Sequence, residues 1–153
     1  EIPVIMTATT LQPQQRRRIT VGSGAIWEDI VGYSRAVRIG NQIEIAGTTA
    51  SNKDGNVMYP NDAYLQTMMI FEIIETALKD AGASMKDVIR TRMFVTDISE
   101  NWEAIGKAHG EIFKEIKPVT TMVEVKALIA PEMIVEIEAT AVIAPIEEEI
   151  EEK

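Results

Sequence analysis

The most regular hydrophobic pattern in the chain lies between Asp62 and Gly82. Residues suited to a buried face recur there three and four positions apart, at positions 67, 70, 71, 74, 77, 78 and 81. An α-helix brings such positions onto one side. Aspartate accepts hydrogen bonds from the first turn of a helix, and glycine adopts the positive φ angle that ends one. The pattern therefore predicts a helix, which we call the first predicted helix.

Alternation of apolar and polar residues predicts strands on both sides of this helix. Residues 34–50 contain two such runs separated by the turn dipeptide Gly40-Asn41, which predicts a hairpin. In its second strand, Ile43, Ile45 and Gly47 alternate with Gln42, Glu44 and Ala46.

Residues 84–98 predict a short capped turn and then a strand that ends at Asp97. One face of this strand is expected to carry Val88, Arg90, Arg92, Phe94 and Thr96, and the other Ile89, Thr91, Met93 and Val95. A second helix is predicted over 99–116, capped by Ser99 or Asn101 and stopped by Pro118. Its expected core stripe is Trp102, Ile105, Ala108, Ile112 and Phe113.

Two further alternating segments, 120–129 and 132–143, flank the turn-like link "APE". The predicted order is thus β-β-α-β-α-β-β, an α+β fold in which two helices cover one face of a mixed β-sheet. Two helices cannot cover both faces, so the other face must meet solvent, a ligand or another subunit. Its β-branched and apolar positions favour another subunit.

Length and charge narrow the classes of protein to consider. The chain has 153 residues, enough for one domain, with 24 acidic and 15 basic residues and a formal net charge of −9. Such a charge repels nucleic acid and anionic membranes, so we expect neither as a partner. The basic cluster at 16–18 is typical of an exposed approach to a strand, the alternative being a phosphate contact. We predict an N-terminal extension over 1–17, one domain over 18–144 and an acidic tail over 145–153.

Residues for redox or metal chemistry are scarce. There is no cysteine and a single histidine, His109, which excludes disulfides, thiolate catalysis, cysteine-ligated zinc and a histidine metal site within one chain. We therefore expect no metal and no cofactor. No apolar run reaches the ~20 residues of a membrane span, and the N-terminus lacks the basic-then-apolar pattern of an export signal. These features predict a cytoplasmic protein.

Four motifs carry a resemblance to a known family: "GTTA", "DAGASMKDVIRTRMFVTDI", P-x-x-T-x-VEV-x-x-L and "VEIEATAV". In this order and spacing, over residues 22–143, they resemble the RidA/YjgF family of small proteins related to imine deaminases. The resemblance implies a chorismate-mutase-like fold and a homotrimer with sheets inside, helices outside and ligand clefts between adjacent subunits. Such an assembly would also cover the open sheet face.

One residue that the resemblance implies is missing. In family members with deaminase activity, an arginine two residues after the proline of this motif holds the carboxylate of a 2-imino or 2-enamino acid. Here the proline is Pro118 and the corresponding residue is Thr120, so the chain resembles a subgroup without the cleft arginine. The hydroxyl groups of Thr120 and Thr121 could bind a carboxylate or carbonyl only as neutral donors, more weakly than a guanidinium. We expect a small carboxylate or carbonyl ligand, with enamine and imine deaminase activity weak or absent.

Other cleft positions match the family. The resemblance places Tyr33 and Gly47 in the cleft and implies that Glu136 positions the attacking water. The structural alternatives are a tyrosine at the edge of the core, a glycine that permits close strand packing, and a glutamate paired with Arg90 or Arg92.

Another arginine on a nearby strand is a candidate to replace the missing one. The candidates are Arg35, Arg38 and Arg92. Arg35 is the best of them, since it lies two residues after Tyr33 and so on the same strand face; the alternative is an exposed residue of an edge strand. His109, beside Gly110 in the second predicted helix, is interpreted as surface or core edge rather than catalytic.

The first predicted helix carries an apolar stretch on its outer face. That face comprises positions 65, 68, 69, 72, 75, 76 and 79, and its first half is Leu65, Met68 and Met69, which meet on one patch. The patch favours contact with a second protein, so the rival function is a trimeric scaffold, natural or engineered; alternatively the methionines fill the core. Ribonuclease activity, attached to some relatives, is disfavoured by the net charge of −9 and by the lack of an acid/base pair in a basic groove.

Overall fold

The computed structural model describes residues 17–145, which form a six-stranded β-sheet with helices packed on it. The elements in chain order are β1 (Arg18–Val21), α1 (Ile26–Val31), β2 (Ala36–Ile39), β3 (Gln42–Thr48), α2 (Ala63–Asp80), a 3-10 turn (Met85–Asp87), β4 (Val88–Val95), α3 (Ile98–Phe113), β5 (Val119–Glu124) and β6 (Val135–Val142). Nearly all of the two predicted terminal segments, and Arg16 of the basic cluster, lie outside the described residues.

The strand order in the sheet is β1-β2-β3-β6-β4-β5. Every neighbouring pair is antiparallel except β4 and β5, which are parallel. A parallel pair needs a crossover connection, and α3 makes it. The two long helices, α2 and α3, pack against each other over one face of the sheet, as predicted.

The first predicted helix is confirmed as α2. The Leu65 backbone N–H donates to the Asp62 side chain at 2.9 Å, and Gly82 has a φ angle of 84° just beyond the helix. All of its predicted core positions are buried: Thr67, Ile70, Phe71, Ile74, Ala77, Leu78 and Ala81. The end of the helix is also bound by Arg38, whose Nη1 donates to the Ala81 carbonyl at 2.7 Å. Arg38 therefore lies on the helix side of β2, and its proposed place near the cleft is wrong.

The start of α3 differs from the prediction. The helix begins at Ile98, and its N-cap is Asp97, which has a φ angle of 47°, rather than Ser99 or Asn101. The Asn101 amide donates back to the Thr96 and Asp97 carbonyls instead. Of the predicted core stripe, Trp102 is 51% exposed and does not belong to the core, whereas Ile105, Ala108 and Phe113 are buried.

Two β-bulges interrupt the predicted alternation. In β4 the ladder with β6 shifts between Val88 and Arg90, so Val88 is buried and Ile89 is exposed, the reverse of the predicted faces. In β3 the hairpin across Gly40-Asn41 is confirmed, but the ladder shifts between Ile45 and Thr48. A bulge adds one residue to one strand and reverses the facing of the residues beyond it.

The sheet face that α2 and α3 leave open has polar and charged side chains at its centre. Arg92 pairs with Glu138 at 3.1 Å, and the Thr140 hydroxyl donates to Glu44 at 2.8 Å. Apolar side chains lie toward its margins, at Ile39, Val119, Val123 and Val142. Within residues 17–145, no helix is both long and apolar enough to cross a membrane.

Candidate ligand-binding site

Arg35, just before β2, is the centre of a polar cluster. Its Nη1 donates to the Gly47 carbonyl at 2.9 Å and to the Thr48 hydroxyl at 2.7 Å, and its Nη2 donates to the Tyr33 hydroxyl at 3.3 Å. The guanidinium carbon lies 5.4 Å from the centre of the Tyr33 ring. Arg35 is only 6% exposed, so the alternative of an exposed edge-strand arginine is wrong.

The guanidinium of Arg35 retains unused hydrogen-bonding capacity. An arginine has five N–H donors, of which the hydrogen bonds to Gly47, Thr48 and Tyr33 engage three. The Nε atom is buried and has no acceptor among the described residues. An unpaired buried donor costs about 1–3 kcal/mol, and a carboxylate, which only accepts hydrogen bonds, suits the unused donors.

Gly47 and Glu136 lie in contact beside this arginine. The bulge in β3 brings Gly47 so close to β6 that a Cβ atom at this position would be 2.7 Å from Glu136 Oε1. Glycine is therefore required for Glu136 to keep its place. The proposed alternative in which Glu136 pairs with an arginine of β4 is wrong for Arg92, which pairs with Glu138.

The surroundings of Glu136 raise the pKa of its carboxyl group. Its side chain is half-buried, and burial is the main cause that raises the pKa of Glu136 above its ordinary value. The positive charge of Arg35 acts in the opposite direction, and the negative charge of Glu138 adds to the rise. A carboxyl group with a raised pKa is suited to accepting and returning a proton near neutral pH.

These four residues, Tyr33, Arg35, Gly47 and Glu136, line one cavity of about 390 Å³. Its rim is apolar and faces outward: Trp27 is 50% exposed, Val31 67% and Ile129 95%. A second cavity of about 440 Å³ lies against it and shares Arg35.

Glu28, in α1, is a member of the cluster that the sequence did not indicate. It accepts hydrogen bonds from the Ser23 hydroxyl and from the backbone N–H groups of Ser23 and Ala25. Burial acts to raise the pKa of Glu28, but these hydrogen bonds and the charge of Arg35 outweigh it and lower the pKa. Glu28 binds the N-cap N–H of Ala25 at the spacing of a capping box, but the N-cap residue is alanine rather than serine or threonine, so the sequence signature of that motif is absent.

The two threonines of the predicted ligand set lie apart from this cavity. Thr120 is on the helix-covered side of β5, where its hydroxyl is 2.7 Å from that of Thr91. Thr121 lies on the open face, opposite Arg92. Within one chain, the predicted ligand residues thus form two groups, one around Arg35 and one on β5.

The three residues of the predicted interface patch on α2 do not share one environment. Leu65 is 39% exposed and Met68 is half-buried, whereas Met69 packs against the core and lines the second cavity. The core-filling alternative is therefore confirmed for Met69. The interpretation of His109 as a core-edge residue is confirmed too, since its ring packs between Phe71 and Phe113.

The sheet order, the two helices on one face and the cleft beside Arg35 define a small α+β protein of the chorismate-mutase-like class. Residues 25–143 match the family described as "Endoribonuclease L-PSP". The chain therefore belongs to this family, which includes the YjgF and Rid proteins, and the predicted family and fold are confirmed.

Individual relatives agree with this assignment. An uncharacterised protein of Streptomyces coelicolor is 37% identical over 122 residues, which cover 79% of this chain and 89% of the relative. The crystal structure of Rv2704 from Mycobacterium tuberculosis, described as a member of the YjgF/YER057c/UK114 family, is 50% identical with a TM-score of 0.75 and covers 83% of this chain and all (100%) of its own. A Yersinia pestis protein of the conserved Rid family, of unknown function, is 27% identical with a TM-score of 0.73. The match covers 83% of this chain and 100% of the Yersinia protein.

Proposed function

We propose that this protein is a homotrimer that binds a small 2-oxo or 2-imino carboxylate in clefts between subunits, and that its enamine and imine deaminase activity is weak or absent. The observation that carries the proposal is the buried guanidinium of Arg35, with its unpaired Nε atom, beside Glu136. The net charge of −9 argues against extending the ribonuclease activity in the family description to this chain.

The ligand class follows from the donors around the cavity. Arg35 supplies a fixed positive charge with unused N–H groups, which suits a carboxylate. Tyr33 supplies a hydroxyl group next to it. The cavity, at about 390 Å³, is near the lower end of the range for small-molecule sites. A short-chain 2-oxo or 2-imino acid fits both the charge and the size.

A neighbouring subunit would complete this site. Trp27, Val31 and Ile129 expose large apolar surfaces on the rim of the cavity, and exposed apolar patches of this kind mark sites of protein contact. The strand that carries Thr120 and Thr121, β5, forms an edge of the sheet, and we propose that these residues reach the cleft of an adjacent copy. We expect a native mass of about three times the 17.0 kDa of one chain.

The chemistry available to the site is the hydrolysis of an imine. Water adds to the imine carbon while the Glu136 carboxylate accepts a proton from it, and the nitrogen is protonated as the addition product forms. Collapse of this product expels ammonia and leaves the 2-oxo acid. Thr120 offers the substrate carboxylate a neutral hydroxyl group, whereas active relatives offer the positively charged guanidinium of an arginine. We therefore expect a low rate of imine hydrolysis.

The substitution Thr120→Arg tests the role of this position. We expect the rate of 2-iminobutanoate hydrolysis to rise about tenfold or more, because a charge-assisted hydrogen bond contributes about 1–2 kcal/mol more than a neutral one. The assay measures the disappearance of the imine and the release of ammonia. Thr20→Arg is the matched control, since it adds the same charge at an exposed position of β1 that lines neither cavity. A rate in the unmodified protein as high as that of arginine-bearing family members would contradict the proposal.

A second candidate function is a trimeric scaffold that docks another protein through Leu65 and Met68. It is favoured by the exposure of Leu65, one helical turn from the half-buried Met68. We expect Leu65→Glu/Met68→Lys to abolish assemblies larger than a trimer, as measured by sedimentation, while the helix content stays unchanged. Thr76→Glu, on the polar half of the same helix face, is the control. Unfolding of the double variant would instead assign both residues to the core.

A further inference from the structure

Three hydrogen-bonded side chains connect the margin of the core to the edge of the sheet. His109, the single histidine of the protein, is half-buried in α3, and its Nε2 is 2.9 Å from the Thr91 hydroxyl oxygen. Thr91 is fully buried, and its hydroxyl oxygen is 2.7 Å from that of Thr120. Thr120 is exposed on the edge strand β5. The half-buried imidazole therefore has a hydrogen-bonded path to the hydroxyl group of an exposed residue.

The state of His109 decides what Thr120 can offer to a ligand. A hydroxyl group has one proton to donate. If Nε2 carries no proton, Thr91 donates to it and Thr120 must donate to Thr91, which leaves Thr120 only lone pairs for a ligand. If Nε2 carries a proton, it donates to Thr91, whose own proton is then available for Thr120, so the Thr120 proton can point to a ligand.

We propose that His109 is a positioning residue that, acting through Thr91, makes the Thr120 hydroxyl a hydrogen-bond donor to a ligand carboxylate at the edge of β5. The inference rests on the proposed function, because it assigns Thr120 a part in binding the same carboxylate. A carboxylate only accepts hydrogen bonds. Its binding therefore selects the form of His109 that carries a proton on Nε2.

The side chains that surround His109 carry no charge that would fix its protonation state. The side chains that face its ring are Phe71 from α2 at 5.7 Å and Phe113 from α3 at 4.7 Å between ring centres, with Thr91 from β4 and, beyond it, Thr120 from β5. None of these side chains is charged.

The charged residues two positions before and after His109 on α3 contact Tyr64 of α2. Lys107 lies over the Tyr64 ring at 5.4 Å, and Glu111 accepts from the Tyr64 hydroxyl at 2.6 Å. Burial lowers the pKa of His109, which favours the neutral imidazole in the free protein, and a neutral imidazole carries its one proton on either Nδ1 or Nε2.

Nuclear magnetic resonance of nitrogen-15-labelled protein tests the inference directly, because the single histidine gives one set of ring signals. The probe is 2-oxobutanoate, the stable product of 2-iminobutanoate hydrolysis. On its addition we expect the ring signals to shift to the Nε2–H form and the pKa of His109 to rise by about half a unit, which by linkage means about threefold tighter binding at low than at high pH.

Variants separate the hydrogen-bonded path from a general effect of the ligand charge. Thr120→Val keeps the shape of the side chain but breaks the path, so we expect the His109 signals to stop responding, whereas Thr120→Ser preserves the response. Thr91→Val is expected to act like Thr120→Val. Binding that leaves the His109 signals unmoved, or moves them equally in Thr120→Val, overturns this inference and leaves the proposed function standing. Failure of 2-oxobutanoate to bind at all overturns both.

Discussion

Arg35→Met is expected to weaken the binding of 2-oxobutanoate by at least about 30-fold, because removal of one partner from a buried, hydrogen-bonded charge pair costs about 2–5 kcal/mol. The substitution removes the donors to Gly47, Thr48 and Tyr33 together with the positive charge beside Glu136. It also removes the influence that lowers the pKa of Glu136, so this carboxyl group should hold its proton to a higher pH. Isothermal titration calorimetry measures the affinity.

The exposed Arg17 provides the matched control, since Arg17→Met makes the same chemical change outside the cavity. We expect it to bind 2-oxobutanoate as the unmodified protein does. A folded Arg35→Met protein with unchanged affinity would show that the ligand site is elsewhere. Near-ultraviolet circular dichroism establishes whether the variant is folded.

Gln66→Leu is expected to lower the free energy of unfolding by about 3 kcal/mol. The Gln66 side chain is 1% exposed, and its Nε2 donates to the carbonyls of Met58, Tyr59 and Glu132 while its Oε1 accepts from the Ile134 N–H. Leucine fills a similar volume but leaves these backbone groups unpaired, at about 1–3 kcal/mol for each group that stays buried. Urea denaturation followed by circular dichroism measures the change.

The same substitution should also weaken ligand binding. Gln66 ties α2 to the loop 125–134, which contributes Ile129 and Met133 to the cavity. Gln42→Leu is the control, because Gln42 is exposed on β3 and its loss should change stability by no more than about 0.5 kcal/mol. Equal stability of the two variants would mean that the buried amide network contributes nothing to the fold.

The long elements were predictable because their patterns repeat many times. The helix α2 has 18 residues, enough for its buried face to recur over several turns, and the Gly40-Asn41 turn specifies its hairpin locally. By contrast, α1 has 6 residues and β1 has 4, too few for a period to emerge. Each bulge is a single inserted residue, which alternation along one strand cannot reveal.

The candidate site was predictable in part. Tyr33, Arg35, Gly47 and Glu136 were selected from the sequence, and the structure brings all four together at one cavity. The burial of Arg35 was not foreseen, because its acceptors at 47 and 48 are supplied by the bulge in β3.

The link between His109 and Thr120 could not be foreseen either. It depends on the packing of α3 over the parallel pair β4 and β5. Residues from three separate elements meet there, and a contact between residues far apart in the sequence leaves no local pattern from which it could be predicted.

In the single chain, β5 forms an edge of the sheet. No described strand pairs with its outer side, and Val119 and Val123 are exposed along it. An edge of this kind is a template for aggregation. Pro118 removes one N–H donor directly before the strand, and Lys117 and Lys126 place positive charges near its two ends. These three side chains therefore discourage the pairing of this edge with a strand of another molecule.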